Sequence, residues 1–404
     1  MSLIKLVLPI AILLFFISSC QSGRKLESVS GNQIKNQLKL LSANFNEARA
    51  LTSDSGKEVV SVRSLNSDGS LKAIPSKDWC SGFYAGSLWL ASDLTGDTGL
   101  QQLAREFTLP LEKEKFNGNT HDMGFKMMCS FGQGYRITRD SAYRDILIQS
   151  AKTLTTRFNE KVGAIRSWDH NQDKWHFPVI VDNMMNLELL FWASKQTGDQ
   201  LYYNIAVKHA ETTLSNHFRA DNSSFHVVDY DTLTGVAIQK NTHQGYSDTS
   251  AWSRGQAWGL YGYSMCYRET GIVSFLYQAE KIADFILNHP NLPADKIPYW
   301  DFDAPNAPSK PRDVSAAAIT ASALYELAQF VPQKKEFYIK AAEQILKSLN
   351  NVYSSKPGEN KGFLLGHSTG SLPHNYEIDV PINYADYYYL EALLRQKNFK
   401  KLNQ

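Results

Sequence analysis

Two aspartates stand where acid–base chemistry is easiest to arrange: Asp122 in HDMGF at 121–125, and Asp182 in VDNMMN at 181–186. Each follows a polar loop and opens a strongly apolar segment, where desolvation raises a carboxyl pKa and lets the group hold a proton near neutral pH. A carboxyl pair on one interior surface is the equipment of glycoside cleavage. Asp is also a leading helix N-cap residue, so both positions equally suit capping, and the two roles do not exclude each other. Arg254 reads either as a partner for a ligand carboxylate or as half of a buried ion pair. Trp258 taken alone reads as core filling. No two histidines have metal-ligand spacing, and neither a nucleotide loop nor a redox motif appears, so no metal and no cofactor are expected.

The elements that must position these residues are legible in punctuation. WLASDLTGD at 89–97 returns as FWASKQTGD at 191–199, with looser echoes at 135–140 and 267–271. Each joins the apolar end of one helix to the start of another through Gly or a small polar turn. Two interleaved sets of helices follow. Amphipathic stretches at about 33–50, 98–110, 140–158, 200–218, 274–289 and 335–353 must meet solvent along one face. Lys340, Glu343 and Lys347 mark such a face. Stretches at about 83–95, 124–138, 184–196, 254–270, 313–330 and 383–396 are small, apolar and aromatic all round, and must be buried on every side. Six of each predict an all-α, single-domain (α/α)6 toroid. An open solenoid of helical hairpins is the alternative, and a closed ring suits six units better. The connections entering the buried helices, notably 163–181 and 224–252, are long and rich in His, Trp, Asp, Tyr and Pro. A site is expected at that end, where helix N-termini favour an anionic ligand.

Composition narrows the classes further. The 404 residues are 43% hydrophobic and 20% charged, enough apolar material for a sizeable core. A formal net charge of +2 provides no field for nucleic acid. Aromatics at 12%, with 8 Trp and 20 Tyr, suit a carbohydrate cleft or the filling of a large helical core. Lys5, an apolar run at 6–17 and then Ser18, Ser19 and Cys20 read as a secretory signal too short for a permanent span. ISSC at 17–20 resembles a bacterial lipobox, whose Cys is acylated; a plain signal peptide with an incidental Cys is the alternative. The expected order is a lipoprotein signal peptide at 1–20, a flexible tether at 21–32 and the helical domain at 33–404, held in the cell envelope by a lipid anchor. That anchor places the domain in the periplasm or on the outer-membrane surface. Cys80, Cys129 and Cys266 are widely spaced and odd in number, and are expected as buried thiols.

In order along the chain, HDMGF (121–125), VDNMMNL (181–187), THQG (242–245), WSRGQAWG (252–259), YWDF (299–302), RDVS (312–315) and DYYYLEAL (386–393) resemble the motifs of the unsaturated glucuronyl hydrolases, glycoside hydrolase family 88. The resemblance runs from about residue 75 to 396, and its specificity lies in the ordered set. It implies the same (α/α)6 barrel, Asp182 as general acid/base and Asp122 as a second essential acid. It sets Trp79, His121, Trp168, His226, Gln244, Arg254 and Trp258 around an unsaturated uronic ring, with Arg254 as partner of the ring carboxylate. The implied reaction acts on the 4,5-unsaturated end of a lyase-cut oligosaccharide. Asp182 protonates C4, water attacks C5, and the hemiketal opens to free the neighbouring sugar. GHSTGSLPHN at 366–375 occupies the region that contacts the leaving sugar. Ser368 and Ser371 resemble the paired serines there, and Pro373 stands where sulfate-tolerant members can present a Lys. His367 or His374 is placed to take a sulfate instead, simple loop polarity being the plainer account. Glycosaminoglycan and ulvan fragments both remain open as substrates. Rival readings are a hydrolase of unsaturated galacturonyl-rhamnose and a non-catalytic glycan-binding outer-membrane lipoprotein. The latter gives no reason for Asp122 and Asp182 at paired helix mouths.

Overall fold

The computed structural model describes residues 29–52, 56, 58–305 and 310–402. The expected signal peptide, Cys20 with its lipid, and the tether up to residue 28 lie outside the described residues. The first helix begins at Gly31, inside the segment expected as tether.

Twelve α-helices follow one another among the described residues: α1 (Gly31–Thr52), α2 (Ser81–Thr95), α3 (Thr98–Thr108), α4 (Gln133–Thr138), α5 (Ser141–Thr155), α6 (Leu187–Thr197), α7 (Gln200–Asn216), α8 (Ser253–Thr270), α9 (Val273–Asn288), α10 (Val314–Leu327), α11 (Lys335–Ser348) and α12 (Asn383–Leu402). A π-helical segment, Gly124–Gly132, leads into α4, and a 3-10 segment, Val181–Asn186, leads into α6. The even-numbered helices with these lead-ins neighbour one another in order, and α12 returns to pack on α2. The ring therefore closes, as an (α/α)6 toroid and not an open solenoid. The odd-numbered helices lie outside it, each packed on an even-numbered one.

Residue size explains which helices go inside. Every residue of α10, VSAAAITASALYEL, is buried. Inner helices approach so closely that a methyl added at Gly82 of α2 would lie 2.2 Å from the Lys126 carbonyl oxygen, and one at Gly262 of α8 would lie 2.5 Å from Met184 Cβ. The outer helix α3 buries only one stripe, with Leu100, Ala104 and Phe107 turned inward.

The repeat seen in the sequence is a physical hinge. Gly96 and Gly198 adopt left-handed φ of 75° and 78° and end α2 and α6. Asp97, Asp140 and Asp199 then cap α3, α5 and α7 by accepting from Leu100, Ala142 and Leu201 N–H. The Thr two residues before each Asp accepts that residue's own N–H, at 3.2–3.3 Å. In the copy at 135–140, Arg139 takes the left-handed position at φ 59°.

The long connections hold short strands that the periodicity did not mark. β1 (Ser61–Leu65) pairs with β2 (Leu71–Ile74), and β3 (Phe158–Asn159) with β4 (Ala164–Ile165). β5 (Pro178–Ile180), β6 (Val227–Tyr230) and β7 (Ala237–Asn241) form an antiparallel sheet in that order, Ile180 opposite Val227. This sheet knits the two long loops together over one end of the ring.

Candidate active site

A cavity of about 290 Å³ opens at the end of the toroid where the inner helices begin. Trp79 precedes α2, Asp122 precedes the π segment, Asp182 sits in the 3-10 turn before α6, and Arg254 and Tyr384 lie in the first turns of α8 and α12. The partial positive charge of these helix ends favours an anionic occupant. Trp79, His121, Asp122, Trp168, Asp182, Gln244, Arg254 and Ser371 all line it, so the structure gathers eight expected residues from seven separate stretches of chain.

Asp182 is held by the sheet. Val181 N–H donates to the His226 carbonyl at 3.0 Å, bringing the His226 ring beneath the carboxyl, Nε2 to Oδ2 3.7 Å. His226 Nδ1 accepts from the backbone N–H groups of both His243 and Gln244 at 3.1 Å. The ring proton is thereby placed on Nε2, facing Asp182. Burial, then the charges of His243 and Arg254, hold His226 well below its usual range, so it stays neutral. Asp182 Oδ2 is buried with no hydrogen-bond partner among the described residues. Burial pushes this carboxyl up to about 7; Arg254 and its own backbone N–H pull against the rise, and Asp122 adds to it.

Asp122 is held differently. Its Oδ2 accepts from Thr120 Oγ1 at 2.8 Å, and its Oδ1 lies 3.2 Å from His121 Nε2. His121 Nδ1 lies 2.7 Å from the Ser167 carbonyl, to which it donates, fixing the ring. Neither aspartate caps the helical segment it introduces. Capping explains other aspartates of this chain, but not these two.

Arg254 lines the cavity and is at the same time half of a buried ion pair. Nη1 donates to Asp313 Oδ2 and to the Thr369 carbonyl, each at 2.6 Å, and Nη2 to the Gly370 carbonyl at 2.5 Å. Three of the five guanidinium N–H groups hold the 369–370 backbone and Asp313, which leaves Nε–H and one Nη2–H for an anionic ligand in the cavity. Arg254 contributes a field, and it anchors the loop that carries Ser371.

Three expected residues do not line the cavity. His226 and Trp258 are fully enclosed beneath Asp182, and Trp258 packs between Phe125 and Tyr388, ring centroids 5.1 and 5.3 Å away. Ser368 is buried, its backbone paired with Val380. Of the two histidines in that loop, His374 lines the cavity; His367 does not and pairs with Asp379 at 2.7 Å. Conversely, Arg63, Phe125, His170, His243, Trp252, Tyr376 and Tyr384 line it without having been assigned there. Phe125 and Trp252 lie inside motifs already singled out. Arg63 stands far upstream on β1 with no local signal, tied to Glu377 and Asp78 at 2.6 and 2.9 Å. The tryptophans divide between both readings of the composition: Trp79, Trp168 and Trp252 face the cavity, while Trp89 and Trp258 fill core. Cys80, Cys129 and Cys266 are buried free thiols, as expected.

Residues 65–399 match the model of Glycosyl Hydrolase Family 88. The chain is 54% identical over 327 residues to an unsaturated glucuronyl hydrolase of Formosa agariphila, covering 80% of this chain and 81% of that protein. A solved structure of an unsaturated glucuronyl hydrolase specific for heparin superimposes with a TM-score of 0.86 at 48% identity, over 92% of this chain and 97% of that one. A second, from Bacillus sp. GL1, superimposes with a TM-score of 0.82 at 30% identity over the same shares. With its closed helical ring, its cavity at the inner helix mouths and this likeness over most of its length, the chain belongs to glycosyl hydrolase family 88.

Proposed function

We propose that this enzyme removes the 4,5-unsaturated uronic acid from the end of lyase-generated oligosaccharides by hydrating its enol ether. The observation carrying this reading is the Asp182 carboxyl, buried beside the cavity and pushed up to about 7, so that it holds a transferable proton near neutral pH. Asp182 gives that proton to C4, leaving positive charge shared between C5 and the ring oxygen. As a carboxylate it then takes a proton from water as the water oxygen bonds to C5. The hemiketal opens by breaking the bond from C5 to the ring oxygen, and the hemiacetal left at C1 expels the neighbouring sugar. One water is consumed and no charge is stranded. Asp122, bonded by Thr120 and set beside His121, supplies negative charge near the cation formed at C5 and adds to the raised Asp182 pKa. The likeness to a hydrolase specific for heparin favours glycosaminoglycan fragments, and ulvan-type fragments share the same reacting ring.

Mixing the protein with a lyase-made disaccharide and following the near-ultraviolet absorbance of the conjugated enol ether tests the reaction. Loss of absorbance with release of the second sugar is expected; binding without loss means a glycan-binding module instead.

The signal at 1–20 supports a further part of the proposal, export and lipid attachment at Cys20. Cells fed labelled fatty acid should label the parent protein and not Cys20→Ala. Equal labelling, or none in either, would refute the anchor.

A further inference from the structure

A second hollow, of about 280 Å³, opens inside the ring at its other end, between α4, α6, α8 and α12. Phe125 belongs to both linings, so the two spaces lie back to back with that ring between them. The π-helical segment Gly124–Gly132 forms part of the wall, and such winding is concentrated at functional sites. Trp192 and Tyr135 line the hollow half-buried, edge to face with centroids 5.6 Å apart. Most charges around it are already met. Arg136 pairs with Asp93 at 2.8 Å, Arg395 with Glu326 and Glu391 at 2.6 and 3.7 Å, and Glu188 with Arg268.

Arg139 is the exception. Where the helix hinge recurs, Gly96, Gly198 and Gly271 take the left-handed position at φ 75°, 78° and 70°, a conformation natural to glycine. Arg139 takes it at φ 59°, where a side chain is strained. Its guanidinium lies 5.7 Å from the centre of the Tyr135 ring, lines the hollow, and has no carboxylate partner among the described residues.

Turning the chain here requires no side chain, so a strained arginine facing the hollow calls for a reason of its own. We infer that this hollow is a second, non-catalytic binding site for a free sugar acid, with Trp192 as the platform for the ring and Arg139 as partner of the carboxylate. An indole face suits the C–H side of a sugar, and Glu188 and Glu391 can accept from its hydroxyls. The guanidinium fork matches a carboxylate in a way that the balanced arginines nearby are not free to do. Its volume is close to the 290 Å³ of the active-site cavity, so a unit of the same size fits both. The choice of a sugar acid as ligand rests on the hydrolase reading, in which one such acid is released at every turnover.

The test is calorimetry on the full chain with D-glucuronate, which has no enol ether to be consumed, beside D-glucose, the same ring without the carboxylate. The parent should bind an equivalent of glucuronate that Arg139→Gly and Trp192→Ala each weaken at least about tenfold, and glucose should bind there at least about tenfold more weakly. Glycine is suited to a left-handed φ, so Arg139→Gly should melt no lower than the parent, and its loss of binding cannot then be a loss of fold. Both variants should keep the parent's kcat and KM for an unsaturated disaccharide, because neither residue lines the active-site cavity. Glucuronate binding that is equal in the parent and both variants overturns the site, as does glucose binding equally well or no glucuronate bound at all. A variant that loses turnover together with binding overturns it too, since the residue would then serve the active site. The hydrolase reading is judged separately, by loss of the disaccharide absorbance, so either can fail alone.

Discussion

A carboxyl that gives a proton to carbon at neutral pH must be kept from ionising, and Asp182 is kept so by its surroundings. Turnover should fall as pH rises through about 7, because the acid is lost there. Asp182→Asn should lower kcat by at least about a thousandfold without unfolding the protein, measured by absorbance loss beside a circular dichroism melt. The same shift predicts a stability effect of fixed sign. The folded chain keeps the Asp182 proton up to about 7, whereas the unfolded chain releases it near 3.8. Native stability contributed by the protonated form is thus complete below pH about 4 and lost as pH rises through 7. Asp182→Asn escapes that loss and should be more stable than the parent at pH 8 by on the order of 4 kcal/mol, with the difference vanishing near pH 4. A variant equally stable at both would show that the carboxyl is not held protonated. Asp122→Asn should be nearly as damaging to turnover. Because the Asp122 charge raises the Asp182 pKa, its loss should also move the fall in rate to lower pH. A pH profile of the residual activity checks the direction.

Helices carry these side chains to the cavity through close contacts and caps. Gly82→Ala would press a methyl onto a backbone carbonyl 2.2 Å away that cannot rotate aside, separating α2 from the π segment that follows Asp122. A loss of about 3 kcal/mol in chemical denaturation is expected, with a disproportionate fall in activity. Asp313 does two things at once, capping α10 through Ser315 and Ala316 N–H and neutralising Arg254. Asp313→Ala should cost about 3–5 kcal/mol, since it strands a fully buried guanidinium. At this scale most of the fold was legible in the sequence. The Thr-Gly-Asp punctuation is local chemistry, in which a left-handed Gly ends one helix and the Asp caps the next. Helices without a polar face, such as α10, could only be interior. The short strands were not legible, because two- to five-residue pairings depend on which loops the ring brings together. The π and 3-10 lead-ins before α4 and α6 were missed for the same reason, since helical spacing alone does not report a local change of winding.

For the whole molecule, the ring is secured at both ends by different means. At the far end from the cavity, Arg268 of α8 binds Glu188 of α6 and Glu326 of α10, and Arg395 of α12 shares Glu326 at 2.6 Å. One network therefore ties four inner helices. Arg268→Ala should lower stability by about 2 kcal/mol, less than a fully enclosed pair because its side chain is 30% exposed. KM should stay unchanged, since the network lies away from the cavity; a large rise in KM would mean the two ends are coupled. At the cavity end, loops and the β5–β7 sheet do the joining, which leaves that end free to be shaped by side chains.

Local residue patterns were enough to establish that the chain is helical, that six helices are buried and six are not, and that Asp122 and Asp182 stand at the mouths of buried ones. These follow from periodicity, capping and desolvation, which act within a few residues. Packing of the whole ring was needed to settle that it closes, that Arg254 is engaged by Asp313 and two loop carbonyls, that His226 and Trp258 lie beneath Asp182, and that His170, His243 and His374 line one cavity. Such outcomes depend on which distant backbone and side-chain groups compete for the same donor or the same space. That competition is settled only when the whole ring has packed.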